Sequence, residues 1–269
     1  MVQVKSRDRA PRVLNDEDPS VDWDGHLIVM VNSFSASASE ILAAALQDYD
    51  RALIVGTGES TFGKGTVQRF VNLDDAVRGH TEVKPLGELK ITIQNYYRVN
   101  GGSVQLKGVI PDIILPDNYR YIETGEKEHE HPLPFTEIEP ATYSQNVYKL
   151  DNKEMLREKS AARIRTNPTL QKVEENAKWL KTQRDDTEYS LNMEDYQKDE
   201  ASLEKRNKEF KDLMDKEVVM GVHNPAVDAK ELKTADESKV ARNDEWLKGV
   251  KKDAYLEETL NVMGDMIKG

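Results

Sequence analysis

Residues 27–56 constrain the fold more than any other stretch. Leu27-Ile28-Val29-Met30-Val31 is an unbroken apolar run of strand length, Asn32 to Ser37 is small and mostly polar, and Ile41-Leu42-Ala43-Ala44-Ala45-Leu46 has high helix propensity. A second apolar run, Ala52-Leu53-Ile54-Val55-Gly56, follows at once. Strand, tight turn, helix and strand form a βαβ unit, and continuous apolar strands joined this way belong to a mostly parallel sheet. The turn can also hold a serine hydroxyl at a helix N-terminus, where backbone N–H groups favour developing negative charge.

Three serines, Ser35, Ser37 and Ser39, stand in that turn, and the local pattern does not choose a nucleophile among them. Ser37-Ala38-Ser39-Glu40 fits a capping box, so Ser37 also reads as an N-cap. After the second strand, Gly58 to Lys64 nearly spells a phosphate-binding loop. Position eight is Gly65 instead of a hydroxyl residue, and Thr66 to Val71 alternates like a strand, so no helix N-terminus waits for an anion. Gly63 and Gly65 then read as turn residues around a solvated or a functional Lys64.

The five histidines, His26, His80, His129, His131 and His223, lie away from the serine run in sequence. Folding can unite distant residues, so a Ser-His-Asp arrangement stays open, but a lysine base also enters. A lysine acts as a base only when neutral, and at a pKa of about 10.4 few molecules are neutral near pH 7.5. Burial between flanking glycines and Phe62 would lower that value.

The 269 residues carry 38 basic and 49 acidic side chains, a net charge of −11, with no basic block to track a phosphate backbone. Nucleic acid is therefore not an expected partner. The absence of cysteine excludes thiol nucleophiles, disulfides and thiolate metal sites. The N-terminus lacks the apolar region of a signal peptide, so the chain reads either as cytosolic or as lacking its original beginning.

Five motifs in order carry a resemblance: Asn32 to Glu40, Gln47-Asp48-Tyr49, Arg51-Ala52-Leu53, Thr61-Phe62-Gly63-Lys64-Gly65-Thr66-Val67-Gln68, and Tyr97 to Ser103 with Lys107 to Asp112. Together they resemble the C-terminal processing peptidases, also called tail-specific proteases. The resemblance implies a Ser/Lys serine peptidase with Ser37 as nucleophile, Lys64 as base, Gln68 orienting that lysine, and the Ala38 N–H as an oxyanion donor. Asp48 is a weaker candidate for support. Lys64 and Gln68 are even-spaced on an alternating strand and so share a face. The loop before Lys64 is two residues longer than the family spacing.

The fold implied is α/β: the C-terminal part of a crotonase/ClpP-like protease core with a mixed sheet and βα units over residues 1–120, a linker over 121–145, and an all-helical domain over 146–269. Family members also carry a PDZ domain and upstream core with a glycine oxyanion donor. This chain is therefore expected to be a truncated, C-terminal part that is inactive or weak alone. Implied partners are polypeptides with exposed apolar C-termini, an adaptor protein and the missing N-terminal and PDZ domains, in the periplasm or cell envelope. No cofactor and no metal is expected. The alternative is a non-catalytic scaffold or interaction module in which Ser37 only caps its helix.

Further expectations concern the remaining elements. Val2 to Lys5 reads as a strand and Arg7 to Asp24 as an exposed loop; Leu89 to Val99 reads as a strand returning in a hairpin through Ser103 to Leu106. His129-Glu130-His131 reads as a solvated turn. Helical stripes are expected at Leu170, Val173, Ala177 and Leu180, at Leu203, Asn207, Phe210 and Leu213, and at Leu256, Leu260, Met263 and Ile267, the last capped by Asp253. Exposed apolar helix faces suggest a homodimer.

Overall fold

The computed structural model describes residues 2–77, 79, 81–215 and 220–269; His80 lies outside them. The chain forms two compact units, one of Met1–Ile114 with Glu123–Lys153, the other of Leu115–Ile122 with Glu154–Gly269.

The first unit holds seven strands and one helix: β1 (Val2–Lys5), β2 (Arg12–Leu14), β3 (Ile28–Asn32), α1 (Ala38–Asp48), β4 (Leu53–Thr57), β5 (Thr66–Asn72), β6 (Glu88–Tyr97) and β7 (Ile113–Leu115). They make two sheets, in the orders β2-β1-β6-β5 and β3-β4-β7. β3 and β4 are parallel with Ile28 opposite Leu53 and Asn32 opposite Thr57, joined by α1 as the βαβ pattern requires. Ala43 and Ala44 of α1, Val31, Ala52 and Ile54 pack in one core cluster with Val4, Tyr96, Val104 and Val109 from beyond the βαβ unit. Alanine on the buried helix face lets α1 lie close to the strands.

Two local expectations need correction. The segment expected to be loop between Arg7 and Asp24 contributes β2, which pairs with β1 through Val13 opposite Gln3. The expected return strand Ser103–Leu106 is absent: the Arg98 N–H donates to the Gly102 carbonyl at 2.7 Å to close a turn. The following residues then form a strap, with the Leu106 N–H on the Gly63 carbonyl at 2.8 Å. Residues 138–141 are tied to the same turn by hydrogen bonds from Ile138 N–H to Gly101 and from Ala141 N–H to Val99.

The second unit is helical: α2 (Lys153–Thr166), α3 (Pro168–Asp185), α4 (Met193–Met214), α5 (Ala226–Leu232), α6 (Glu237–Lys251) and α7 (Ala254–Lys268). Asn167 caps α3 by accepting from the Thr169 and Leu170 N–H groups, and Asp253 caps α7 through Tyr255 and Leu256. Leu170, Val173 and Ala177 are buried as their spacing predicts. α7 differs from expectation. Its buried face is Ala254, Glu258, Thr259, Val262 and Met266, while Leu260 and Ile267 of the expected stripe are exposed. None of the helices is long and apolar enough to cross a membrane, among the described residues.

Candidate active site

The turn between β3 and α1 is built from side chains as well as backbone. Asn32 Oδ1 accepts from the Phe34 N–H at 3.0 Å, and Ser35 Oγ accepts from the Asn32 N–H at 3.1 Å, so Ser35 is engaged in holding the turn. Ser39 lies exposed on the first turn of α1. Ser37 is different in kind. As N-cap of α1 it has φ 56° and ψ −112°, a region L-residues rarely adopt, at a cost of about 1–3 kcal/mol. Strain of this sort at a strand-to-helix turn projects a serine side chain away from the backbone. Ala38, next in the chain, is exposed and opens the helix, where the first N–H groups have no intrahelical acceptor.

Glu40 fastens this turn to the loop that carries Lys64. Its carboxylate is fully buried and accepts four hydrogen bonds: from Thr61 Oγ1 at 2.5 Å and Gly63 N–H at 2.7 Å on one oxygen, from Ser37 N–H at 2.8 Å and Lys64 N–H at 2.9 Å on the other. Such a buried carboxylate is tolerable only when its oxygens are satisfied in this way. The glutamate half of the capping box is therefore well formed. The serine half is a looser approach of the Ser37 hydroxyl that makes no cap hydrogen bond, because the Glu40 N–H goes to the Ser37 carbonyl at 2.9 Å.

The glycines around Lys64 serve close approach. Gly63 has φ 87°, and a Cβ there would stand 3.1 Å from the Leu106 carbonyl carbon; a Cβ on Gly65 would stand 2.7 Å from Ser103 Oγ. The strap at 103–108 can press on this loop only because both side chains are absent. Lys64 itself is half-buried. Two buried hydroxyls without a partner among the described residues, Ser33 Oγ and Thr66 Oγ1, flank the serine turn and the lysine. Each costs about 1–3 kcal/mol, a burden that folds more often carry near functional sites than elsewhere.

Lys64, Thr66 and Gln68 line one cleft of about 570 Å³, with Ala36 at the serine end and Lys90 and Thr92 from β6. The β5–β6 pairing is irregular here: Val67 faces Gln94 and Gln68 faces Thr92, so the additional residue, Ile93, sits in β6. The alternation of β5 is thereby preserved and Lys64, Thr66 and Gln68 stay on one face. Gln68 Nε2 donates to Thr92 Oγ1 at 3.5 Å.

The opposite wall corrects a sequence expectation. His129 lines the cleft instead of lying on a solvated turn, its ring 6.3 Å from that of Phe62, and the Glu126 N–H donates to the Phe62 carbonyl at 2.9 Å. His131 lines it too, although its side chain is largely exposed. Asp48 lies with Arg98, at 2.6 Å, and Asn100, at 2.9 Å, bracing the end of α1. Sequence reasoning gave no role to Tyr96, whose buried phenol donates to the Lys64 carbonyl at 2.5 Å and approaches the Ser37 carbonyl at 3.1 Å.

A model of the C-terminal domain of tail specific protease matches residues 119–268, and that of peptidase family S41 matches residues 1–115. The chain belongs to the tail-specific protease family. The tail-specific protease of Haemophilus influenzae is 41% identical over 219 residues, which are 78% of this chain and 31% of that protein. The carboxy-terminal-processing protease of Bartonella bacilliformis is 40% identical over 121 residues, 43% of this chain and 24% of that protein. Among solved structures, a photosystem II D1 C-terminal processing protease matches at 34% identity with a TM-score of 0.30, covering 43% of this chain and 27% of that one. This member of the tail-specific protease family thus spans about a third or less of the length of these relatives.

Proposed function

We propose that this chain carries the nucleophile and base of a Ser/Lys serine endopeptidase. The observation that supports it most is the strained Ser37 at the start of α1, fastened through Glu40 to the loop of Lys64. In this reading Ser37 Oγ attacks the scissile carbonyl carbon while neutral Lys64 takes its proton. The resulting ammonium then protonates the leaving amine, and water hydrolyses the acyl-enzyme by the same route. Gln68, on the same face, orients the lysine. The Ala38 N–H supports the oxyanion, helped by the N-terminal end of α1.

A second oxyanion donor is implied by the family as a glycine upstream of these residues, and losing one donor lowers the rate by about 10²- to 10³-fold. The chain alone is accordingly read as a weak or inert part of a longer peptidase. The printed names of its relatives, tail-specific and carboxy-terminal-processing, support polypeptides with exposed apolar C-termini as substrates. Action in the cell envelope, an adaptor, and self-association through exposed helix faces such as Leu260 and Ile267 belong to the same proposal. The scaffold alternative draws on the formed half of the capping box, but a cap and a nucleophile are compatible roles for one serine.

Lys64→Arg is the sharpest test, because a guanidinium keeps the charge and cannot give up its proton. In the protein at its full natural length, cleavage of a peptide with an apolar C-terminal tail should fall by about 10²- to 10⁴-fold in Lys64→Arg. Equal cleavage by Lys64→Arg and the unaltered protein would favour the scaffold reading.

A further inference from the structure

β6 ends in two adjacent buried tyrosines on opposite faces, and their hydroxyls have different partners. Tyr97 Oη meets Thr136 Oγ1 at 2.8 Å, away from the candidate site. Tyr96 Oη reaches the carbonyl oxygens of Lys64 and Ser37, at 2.5 and 3.1 Å. We propose that Tyr96 is a positioning residue that sets the spacing between the Ser37 turn and the Lys64 loop; this rests on the Ser/Lys reading above.

The geometry is complementary to that of Glu40. Glu40 collects the N–H groups of Ser37 and Lys64, while Tyr96 addresses the carbonyl groups of the same two residues. Both polar ends of the backbone at each residue are thereby held. A phenol has one proton, which goes to the nearer acceptor, the Lys64 carbonyl, and the Ser37 carbonyl is the weaker second contact. That carbonyl also accepts from the Glu40 and Ile41 N–H groups, at 2.9 and 3.0 Å, so its place is shared with the start of α1. The Tyr96 N–H donates in addition to the Gly65 carbonyl at 3.0 Å, so this one residue grips two successive carbonyls of the lysine loop.

The grip is anchored in a sheet. Tyr96 lies opposite Val4 of β1 and belongs to the core cluster with Val31, Ala43 and Ala44, so its ring is fixed from several sides. Burial first, and the negative charges of Glu40 and Glu126 after it, push the phenol far above its ordinary value. It therefore remains a donor throughout the range in which a peptidase works. Nothing in this arrangement touches substrate. Its effect on rate acts through Ser37 and Lys64, where a displacement of about 1 Å costs up to about 10²-fold.

Tyr96→Phe and Tyr97→Phe each remove one buried hydroxyl from the same strand end, which separates positioning from mere stability. Both variants are compared with the unaltered protein and Ser37→Ala, at full natural length, on a peptide with an apolar C-terminal tail. Tyr96→Phe should lower kcat by about 10- to 10²-fold with KM unchanged. Its pH–rate profile should keep its midpoint while the plateau drops, because the phenol itself does not titrate there. Tyr97→Phe should keep its kcat whatever its melting temperature. Full kcat in Tyr96→Phe, or an equal fall in Tyr97→Phe, overturns the positioning role while the Ser/Lys reading stands. Undiminished turnover by Ser37→Ala overturns that reading, and the positioning role with it.

Discussion

Ser37 shows at the scale of one residue how much a sequence reveals of a site. Its candidacy was legible through the family motifs, but the Ser-x-x-Glu spacing by itself is equally that of an ordinary cap. What sets it apart from Ser35 and Ser39 is its positive φ, which comes from the closing of the β3–α1 turn and has no local sequence signature. Glu40 was legible only as a capping residue. Its bonds to Thr61, Gly63 and Lys64 span 21 to 24 positions and arise from the tertiary packing of the two loops. Gly63 was read correctly as a turn residue, and the strap across it makes the consequence sharper. Gly63→Ala would place a Cβ at φ 87° and 3.1 Å from the Leu106 backbone, neither of which a flexible side chain can relieve. Denaturant unfolding should show a loss of about 1–2 kcal/mol from the backbone conformation alone, and more where the strap must shift. An unchanged midpoint would show that the strap does not press on this loop.

At the scale of elements, β3, α1, β4, β5 and β6 were legible because continuous or alternating apolar runs with turn residues between them admit few other readings. β2 and the strap were not, since a short exposed strand has no apolar pattern and a strap is defined by what it packs on. α7 failed for a different reason. It carries apolar residues on more than one side, and periodicity cannot decide which stripe turns inward. The correction predicts unequal mutations: Met266→Ala should cost about 2–4 kcal/mol, Leu260→Ala within about 0.5 kcal/mol, by thermal or denaturant unfolding. Equal losses would return Leu260 to the core.

α2 and α7 are joined by Arg163, which meets Glu258 at 2.9 Å and Asp265 at 2.6 Å. Burial alone would raise the Asp265 pKa, but hydrogen bonding and charge from Arg163, helped by Lys159, outweigh it and hold the carboxyl below its ordinary range. A carboxyl whose folded pKa is depressed contributes stability above its unfolded pKa, near 3.9, and loses it as pH falls through the folded value. Acid unfolding of the protein should therefore shift to higher pH in Asp265→Asn, and the melting temperatures of the two forms should converge below about pH 3. A constant difference down to low pH would remove Asp265 from the acid response.

At the scale of the whole molecule, one chain holds two units that no single sequence signal separates. The strand-rich part and the charge-dense helical part were distinguishable by composition. Residues 123–153 were harder to place, because their Pro, Glu and His content reads as linker while their backbone bonds to Phe62, Val99 and Gly101 belong to the first unit. Those bonds bring Glu126 and His129 to the cleft beside Lys64, a long-range placement that no local pattern encodes. The net charge of −11 fits a soluble surface and took no part in locating the site. The central claim, that Ser37 is the nucleophile and Lys64 its base, is tested most directly by trapping the acyl-enzyme. The protein at full natural length would be treated with a serine-directed acylating reagent, and the modified residue located by peptide mass spectrometry. The Ser/Lys assignment predicts a single adduct on Ser37, absent in Ser37→Ala and slowed by about 10²- to 10⁴-fold in Lys64→Arg. An adduct on Ser35 or Ser39, or equal labelling of Ser37 in Lys64→Arg, would contradict it.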